Sequence, residues 1–183
     1  DYPSSSNFGS LKDNVYAEDI YVGYRYFESA SKDKVLYPFG YGLSYTNFKV
    51  TAGDFEFDNG GNLPAVKFDV TVKNTGSCSG KEVIQIYVKQ PQGKLGKPAL
   101  VLADFKKTAL LKKGKKAKLK FEFDISRIRS FDDTGITGNI DCFVCEDGLY
   151  EIFAGNSIRN LSKIGDFTLS ETIVIEKVSD SLK

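Results

Sequence analysis

Hydrophobic and polar residues alternate in four short runs, at residues 66–73, 83–88, 118–123 and 150–154. In the clearest of them, residues 66–73, valine or phenylalanine occupies every second position, with lysine, aspartate or threonine between. Successive side chains of a strand point to opposite faces, so this period of two predicts half-buried β-strands. The apolar members of the four runs are expected to share one core: Val66, Phe68, Val70, Val72, Ile84, Ile86, Val88, Leu119, Phe121, Phe123, Tyr150 and Ile152.

Turn-forming residues separate the alternating runs. Residues 58–62 (DNGGN) and 112–115 (KKGK) have the composition of turns, and residues 125–130 suggest a single helical turn. Short strands divided by such turns are typical of a β-sandwich. The alternating pattern begins after Thr46, so the sequence predicts a β-sandwich over residues 47–183, with a C-terminal tail, preceded by a different structure over residues 1–46.

Residues 22–46, here called the aromatic connector, have neither alternating nor helical periodicity. They contain seven aromatic rings, those of Tyr24, Tyr26, Phe27, Tyr37, Phe39, Tyr41 and Tyr45. A free linker would leave this much apolar surface in water, which is unfavourable. The connector is therefore expected to be ordered and to dock between two folded bodies.

Several motifs resemble glycoside hydrolase family 3 enzymes, typically β-glucosidases. Residues 22–28 (VGYRYFE) and 37–46 (YPFGYGLSYT) resemble the end of the second domain of those enzymes. Residues 72–91, 102–107 and 148–159 resemble, in order, motifs of their fibronectin type III-like domain. The resemblance implies a mainly β fold: an immunoglobulin- or fibronectin type III-like β-sandwich, preceded by the C-terminal remnant of an α/β-sandwich domain.

The same resemblance implies that the chain is noncatalytic. A retaining glycosidase needs two carboxyl groups about 5 Å apart. Family members carry the nucleophilic aspartate in a barrel domain and the acid/base glutamate upstream of the connector-like run, so neither maps to this chain. We therefore assign no catalytic, substrate-binding, cofactor-binding or metal-binding residue. Glu18, Asp19 and Glu28, the carboxylates close to the connector, are expected to make surface or interdomain pairs.

Five connector residues are assigned an interdomain structural role: Tyr24, Arg25, Tyr26, Phe39 and Tyr41. Tyrosines can also stack on sugars, but clustered aromatic side chains more often bury surface against protein. A guanidinium among such rings can stack on them and pair with a carboxylate of an adjoining domain. The implied partners are the remaining α/β-sandwich and barrel domains of a parent enzyme, as a separate chain, through which the carbohydrate substrate is reached.

Composition excludes several other classes of function. The chain has 25 basic and 24 acidic residues, so its net charge of +1 predicts neither a nucleic-acid nor a membrane partner. Six lysines within residues 112–120 are interpreted as a solvated turn and strand face. Without histidine there is no Ser/His/Asp triad. Cys142 and Cys145 form a lone CxxC whose side chains would face opposite sides of a strand, so they are interpreted as structural thiols in a reducing compartment.

Two readings remain open at this stage. The chain contains no methionine and begins with Asp1, so we expect a fragment of a longer polypeptide. Residues 170–183, placed after the final strand, resemble the run that follows this domain in permuted family members. The alternative to an enzyme part is a stand-alone immunoglobulin-like binding or adhesion module. Residues 15–46 argue against it, because a self-sufficient sandwich has no use for a long aromatic connector.

Overall fold

The computed structural model describes residues 2–6 and 8–179, in which β-strands are the predominant regular structure. The strands are β1 (Phe48–Asp58), β2 (Ala65–Asn74), β3 (Val83–Lys89), β4 (Val101–Lys107), β5 (Lys116–Asp124), β6 (Ser130–Asp132), β7 (Cys142–Cys145), β8 (Gly148–Ser157), β9 (Asn160–Leu169) and β10 (Ile173–Lys177). Helix α1 covers Tyr24–Ala30, and short 3-10 helices cover Pro3–Ser6, Lys32–Lys34 and Ile125–Ile128. None of the helices in the described residues is long and apolar enough to span a membrane.

Seven of the ten strands in the described residues form two antiparallel sheets that pack over one core. The first sheet has the order β1-β2-β5 and the second sheet the order β4-β3-β8-β9. In the first sheet Phe68 lies opposite both Phe55 of β1 and Phe121 of β5, so one apolar row crosses all three strands. A small third sheet, in the order β10-β7-β6, lies beside this sandwich.

The predicted β-sandwich and its core are confirmed. Every expected core residue except Leu119 is buried in one hydrophobic cluster, and Leu119 is partly buried and packs against that cluster. The ring of Tyr150 stacks on that of Phe167 of β9, with centroids 4.9 Å apart. The two predicted turns connect β1 to β2 and β4 to β5, and the predicted helical turn is the 3-10 helix Ile125–Ile128.

Asn74 links the end of β2 to the chain leaving the connector. Its side chain is fully buried. Its Oδ1 accepts hydrogen bonds from Thr46 Oγ1 (2.7 Å) and the Gly76 backbone N–H (3.0 Å). Its Nδ2 donates to the carbonyl oxygens of Cys78 and Leu111, both at 2.8 Å. One side chain thus satisfies polar groups of three loops, as burial of those groups requires.

Helix α1 lies within the connector, although the sequence of the connector shows no helical periodicity. The helix has only seven residues and its rings point to different neighbours. Tyr24 contacts Tyr87 of β3, whereas Tyr26 and Phe27 contact Tyr2. A helix that is apolar on more than one side has no single stripe, so its period is not visible in the sequence.

The placement of residues 170–183 after the final strand is wrong, because a further strand lies within them. Ile173–Lys177 form β10, which pairs antiparallel with β7, with Ile173 opposite Cys145 and Lys177 opposite Cys142. The pairing joins segments distant in the sequence, so the apolar run IVI did not reveal its partner. Residues 180–183 lie outside the described residues.

Candidate docking interface

Strand β3 is buried on both faces. Ile84, Ile86 and Val88 point into the core, as their alternation predicts, but Gln85 and Tyr87 on the opposite face are buried as well. The aromatic connector provides this second cover: the ring of Tyr24 meets the ring of Tyr87 edge-on, with centroids 6.0 Å apart. The connector therefore lies across the outer face of the second sheet.

Tyr24 is the central contact between connector and sheet. Its ring centroid is 5.2 Å from that of Phe39, and its hydroxyl accepts a hydrogen bond from the backbone N–H of Leu102 at 2.9 Å. Beneath it, the Tyr87 hydroxyl donates to Gln85 Oε1 at 2.7 Å. Burial, reinforced by Tyr24 and Glu28, raises the pKa of Tyr87, so its hydroxyl stays protonated and remains a donor.

An ion pair ties the end of α1 to the turn after β8. Arg159 Nε donates to Glu28 Oε1 at 2.8 Å, and Arg159 Nη2 donates to the carbonyl oxygen of Lys32 at 2.7 Å. Ser29 Oγ accepts from the backbone N–H of Ala99 at 2.9 Å. Of the three carboxylates near the connector, the structure thus places Glu28 in a pair with the sandwich itself.

Gly40 allows the second half of the connector to approach β3 closely. The carbonyl oxygen of Phe39 accepts a hydrogen bond from the Ile158 N–H at 3.0 Å. Gly40 has a φ of +85°, and a Cβ there would lie 2.5 Å from Gln85 Nε2 and 2.9 Å from the Asn156 carbonyl oxygen. Both the backbone conformation and the space exclude a side chain.

We expect Gly40→Ala to loosen the connector and to cost about 1 to 3 kcal/mol of stability, through strain and steric overlap. Hydrogen exchange of the α1 amides and a denaturant titration measure the two effects. Gly42→Ala is the matched control, because a Cβ at Gly42 meets no atom within 4 Å. Equal exchange in the two variants would contradict the close approach at Gly40.

Large apolar side chains of the connector remain exposed beyond these contacts. They form the exposed aromatic patch, which consists of Leu36, Tyr37, Phe39, Tyr41, Leu43 and Tyr45. Leu43 and Tyr45 are 91% and 96% exposed. The rings of Tyr37 and Tyr41 contact each other at 5.0 Å. A single chain seldom exposes so much apolar surface within ten residues unless another body covers it.

The five residues assigned an interdomain role do not lie in one place. Tyr24 and Phe39 meet at the sandwich, and Tyr41 lies in the exposed aromatic patch. The ring of Tyr26 packs on those of Tyr2 and Phe27. Arg25 lines a separate groove of about 380 Å³ between the connector, the loop after β3 and β6.

Three residues of the interface escaped the sequence analysis: Gln85, Tyr87 and Arg159. Gln85 and Tyr87 are the positions between the core residues of β3, where alternation predicts solvent exposure. A signal was present in the sequence: an aromatic residue at the solvent-facing position of Tyr87 indicates that another segment covers this face of the strand. All three residues also lie within the segments 72–91 and 148–159 that match the family motifs.

The two cysteines of the CxxC lie inside the protein. Cys142 Sγ donates to the Ile140 carbonyl oxygen at 3.4 Å, and Cys145 Sγ donates to that of Ile125 at 3.2 Å. Burial raises the pKa of Cys145 to about 12, so its thiol is protonated and unreactive at neutral pH. Across residues 2–6 and 8–179, no group of three or more Cys, Asp and Glu side chains is arranged to hold a metal ion.

Comparison with known proteins identifies relatives along the whole chain. Residues 82–158 match the fibronectin type III-like domain family. The chain is 46% identical to a β-glucosidase of Ruminococcus albus, covering 100% of this chain and 19% of the relative. It is 42% identical to β-glucosidase A of Butyrivibrio fibrisolvens, covering 100% and 24%. The chain therefore spans about a fifth of the length of the curated relatives it matches.

Solved structures of β-glucosidases are also similar to this chain. The structure of a β-glucosidase from Paenibacillus barengoltzii superposes with a TM-score of 0.93 at 48% identity, over 98% of this chain and 20% of that one. β-Glucosidase 3B from Thermotoga neapolitana, in complex with α-D-glucose, gives a TM-score of 0.79 at 38% identity, over 96% and 23%. A GH3 β-glucosidase from Bifidobacterium adolescentis gives 0.77 at 28% identity, over 99% and 25%.

Proposed function

Because the chain belongs to the glycoside hydrolase family 3 β-glucosidases, we propose that it is a noncatalytic portion of such an enzyme, supporting the hydrolysis of terminal β-D-glucosyl residues by the complete enzyme. The observation that carries the proposal is the exposed aromatic patch. One side of the connector is held by the sandwich, and the other side presents apolar side chains that are 47% to 96% exposed.

The partner in this proposal is the rest of the parent enzyme, its α/β-sandwich and barrel domains, present as a separate chain. The connector divides its contacts between two bodies: Tyr24 and Phe39 hold it to the sandwich, while Tyr41 and the other exposed side chains of the patch face the partner. The partner supplies both carboxyl groups of the retaining reaction and the binding site for the sugar.

The sandwich contributes order rather than chemistry. The Arg159 to Glu28 pair and the Leu102 to Tyr24 hydrogen bond fix α1 before the partner arrives. A surface that is already ordered loses less conformational entropy on association, which strengthens binding. A stand-alone adhesion module would make no use of a preorganised connector.

The experiment combines the purified chain with the separately expressed remainder of the parent enzyme. We expect the chain alone not to hydrolyse p-nitrophenyl β-D-glucoside, and the mixture to form a stable, active complex. The variant Leu43→Ser/Tyr45→Ser should raise the dissociation constant at least about 30-fold, because two exposed apolar side chains lose their burial. The rate of the saturated complex should be nearly unchanged.

The control is Ile136→Ser, which removes a side chain of similar size that is 53% exposed in the loop between β6 and β7. It should leave the dissociation constant within about twofold of wild type. Turnover by the chain alone would overturn the noncatalytic assignment. If the Leu43→Ser/Tyr45→Ser complex kept its affinity but lost its hydrolytic rate, the exposed aromatic patch would be part of the active site, and the proposed role would be overturned.

A further inference from the structure

Three lysines stand directly opposite one another on the outer face of the first sheet. Lys49 of β1 pairs with Lys73 of β2, and Lys73 pairs with Lys116 of β5. All three are exposed, on the face opposite to the core residues Val72 and Ala117. They form what we call the lysine row, which concentrates three positive charges within about 10 Å, two strand spacings.

The positive charges of the lysine row are not compensated by acidic side chains among the described residues. On the same face, Lys67 pairs with Glu122 at 3.6 Å and Lys118 pairs with Asp69 at 2.9 Å. The lysines of the row form no ion pair with any residue that the structure describes. Like charges directly opposite each other in a sheet are destabilising, so the fold retains an unfavourable arrangement at this position.

The turn beside the row adds further positive charge. Residues 112–115 carry three lysines, and this turn is held next to Lys73 by two hydrogen bonds. The Asn74 N–H donates to the Lys115 carbonyl oxygen at 3.0 Å, and the Gly114 N–H donates to the Asn74 carbonyl oxygen at 2.9 Å. With a net charge of +1 for the whole chain, the attraction for anions is local to this end of the sheet.

The side chains around the lysine row indicate which class of polyanion fits it. The row and its turn contain no arginine for bidentate phosphate recognition and no aromatic ring for stacking on bases. The next row on the same face places Thr51 opposite Thr71, with Lys118 beyond. The hydroxyl groups of Thr51 and Thr71 both donate and accept hydrogen bonds, which suits them to sugar hydroxyls. Ammonium groups beside hydroxyl groups on a flat face match a glycan that carries carboxylates.

We propose that the lysine row is a binding site for a linear polycarboxylate glycan, which would hold the protein on an acidic polysaccharide. The ammonium groups of Lys49, Lys73 and Lys116 pair with successive carboxylates, and Thr51 and Thr71 contact ring hydroxyls. Binding releases the counterions of the polymer and relieves the repulsion within the row.

The test uses the full chain and polygalacturonate, with the fully methyl-esterified polymer as the uncharged match. At an ionic strength of about 0.01 M, where screening is weak, calorimetric titration should detect binding to polygalacturonate but not to the ester. Lys49→Gln/Lys73→Gln/Lys116→Gln should lower the affinity at least about tenfold. Its melting temperature should be unchanged or higher, because the like-charge contacts are gone.

The control variant Lys67→Gln/Lys89→Gln/Lys163→Gln removes the same charge from lysines that are already ion-paired. It should keep the affinity within about twofold of wild type. Equal binding of the two triple variants, equal binding of the ester, or tighter binding of duplex DNA at matched charge would overturn the proposal. No hydrolysis is measured and the row lies outside the exposed aromatic patch, so this result is separable from the proposed function.

Discussion

Phe121→Ala lowers the free energy of unfolding by about 3 to 5 kcal/mol, the range expected when a buried phenylalanine is truncated and its site cannot collapse. Phe121 lies on β5 of the first sheet and is only 2% exposed, because its ring points into the core. Its ring stacks on that of Phe68 with centroids 5.4 Å apart. Nζ of Lys106, on β4, lies 4.9 Å from the centroid of the Phe121 ring. Removal of the ring therefore leaves a cavity between rigid strands.

A urea titration of the wild type and the variant measures this loss as a shift of the midpoint at constant slope. Phe105→Ala is the control, since Phe105 is 63% exposed on β4. That variant should lose less than about 1 kcal/mol. A loss of the same small size for Phe121→Ala would mean that the rim of the sandwich, not its centre, surrounds Phe121.

Glu146→Gln is expected to cost about 3 to 5 kcal/mol, because it leaves a buried ammonium group without its counterion. Glu146 and Lys97 are 4% and 3% exposed, and Lys97 Nζ donates to Glu146 Oε2. The carboxylate also accepts the Lys94 N–H at 2.7 Å. Gly93, with a φ of +53°, lets the loop wrap this carboxylate, since a Cβ there would lie 2.4 Å from it.

The same pair predicts a loss of stability in acid. Burial alone would raise the pKa of Glu146, but Lys97 and the N–H groups of Lys94 and Leu95 lower it below its ordinary value. A lowered folded-state pKa contributes stability above the unfolded-state pKa of about 4.3, and this contribution is lost as the pH falls through the folded-state value. The Glu146→Gln variant should lack this pH-dependent contribution to the free energy of unfolding.

Urea titrations between neutral pH and about pH 3 separate the two forms, because the wild-type and Glu146→Gln stabilities should converge as Glu146 becomes protonated. Glu151→Gln is the control. Glu151 pairs with Lys89 at 2.9 Å and with Lys163 at 3.0 Å on the surface, so its loss should cost less than about 1 kcal/mol. Parallel curves for the wild type and Glu146→Gln would show that another carboxylate governs the acid transition.

The buried pair and the exposed aromatic patch differ in how far the sequence anticipates them. The seven connector rings are visible in the sequence, and their number alone indicates an ordered segment. Glu146 and Lys97 are two charged residues among many, and nothing local distinguishes them. They meet because the loop after β3 folds over the end of β7, a contact of long sequence separation.

The sequence by itself determined the sandwich core and the turns that bound its strands. A side-chain period of two arises within each strand, so Val66, Phe121 and Tyr150 were assigned to the core without knowledge of their neighbours. The fibronectin type III-like character was visible in the same way, from motifs that occur in order along the chain.

Only the tertiary structure decided what covers the outer faces of the sheets. The cover over Gln85 and Tyr87 comes from an irregular connector, and irregular segments have no period from which contacts can be predicted. The third sheet and the lysine row depend on the register between distant strands, which brings Lys49, Lys73 and Lys116 side by side. Local patterns specify which side of a strand is apolar, but the partner of each face is set by long-range packing.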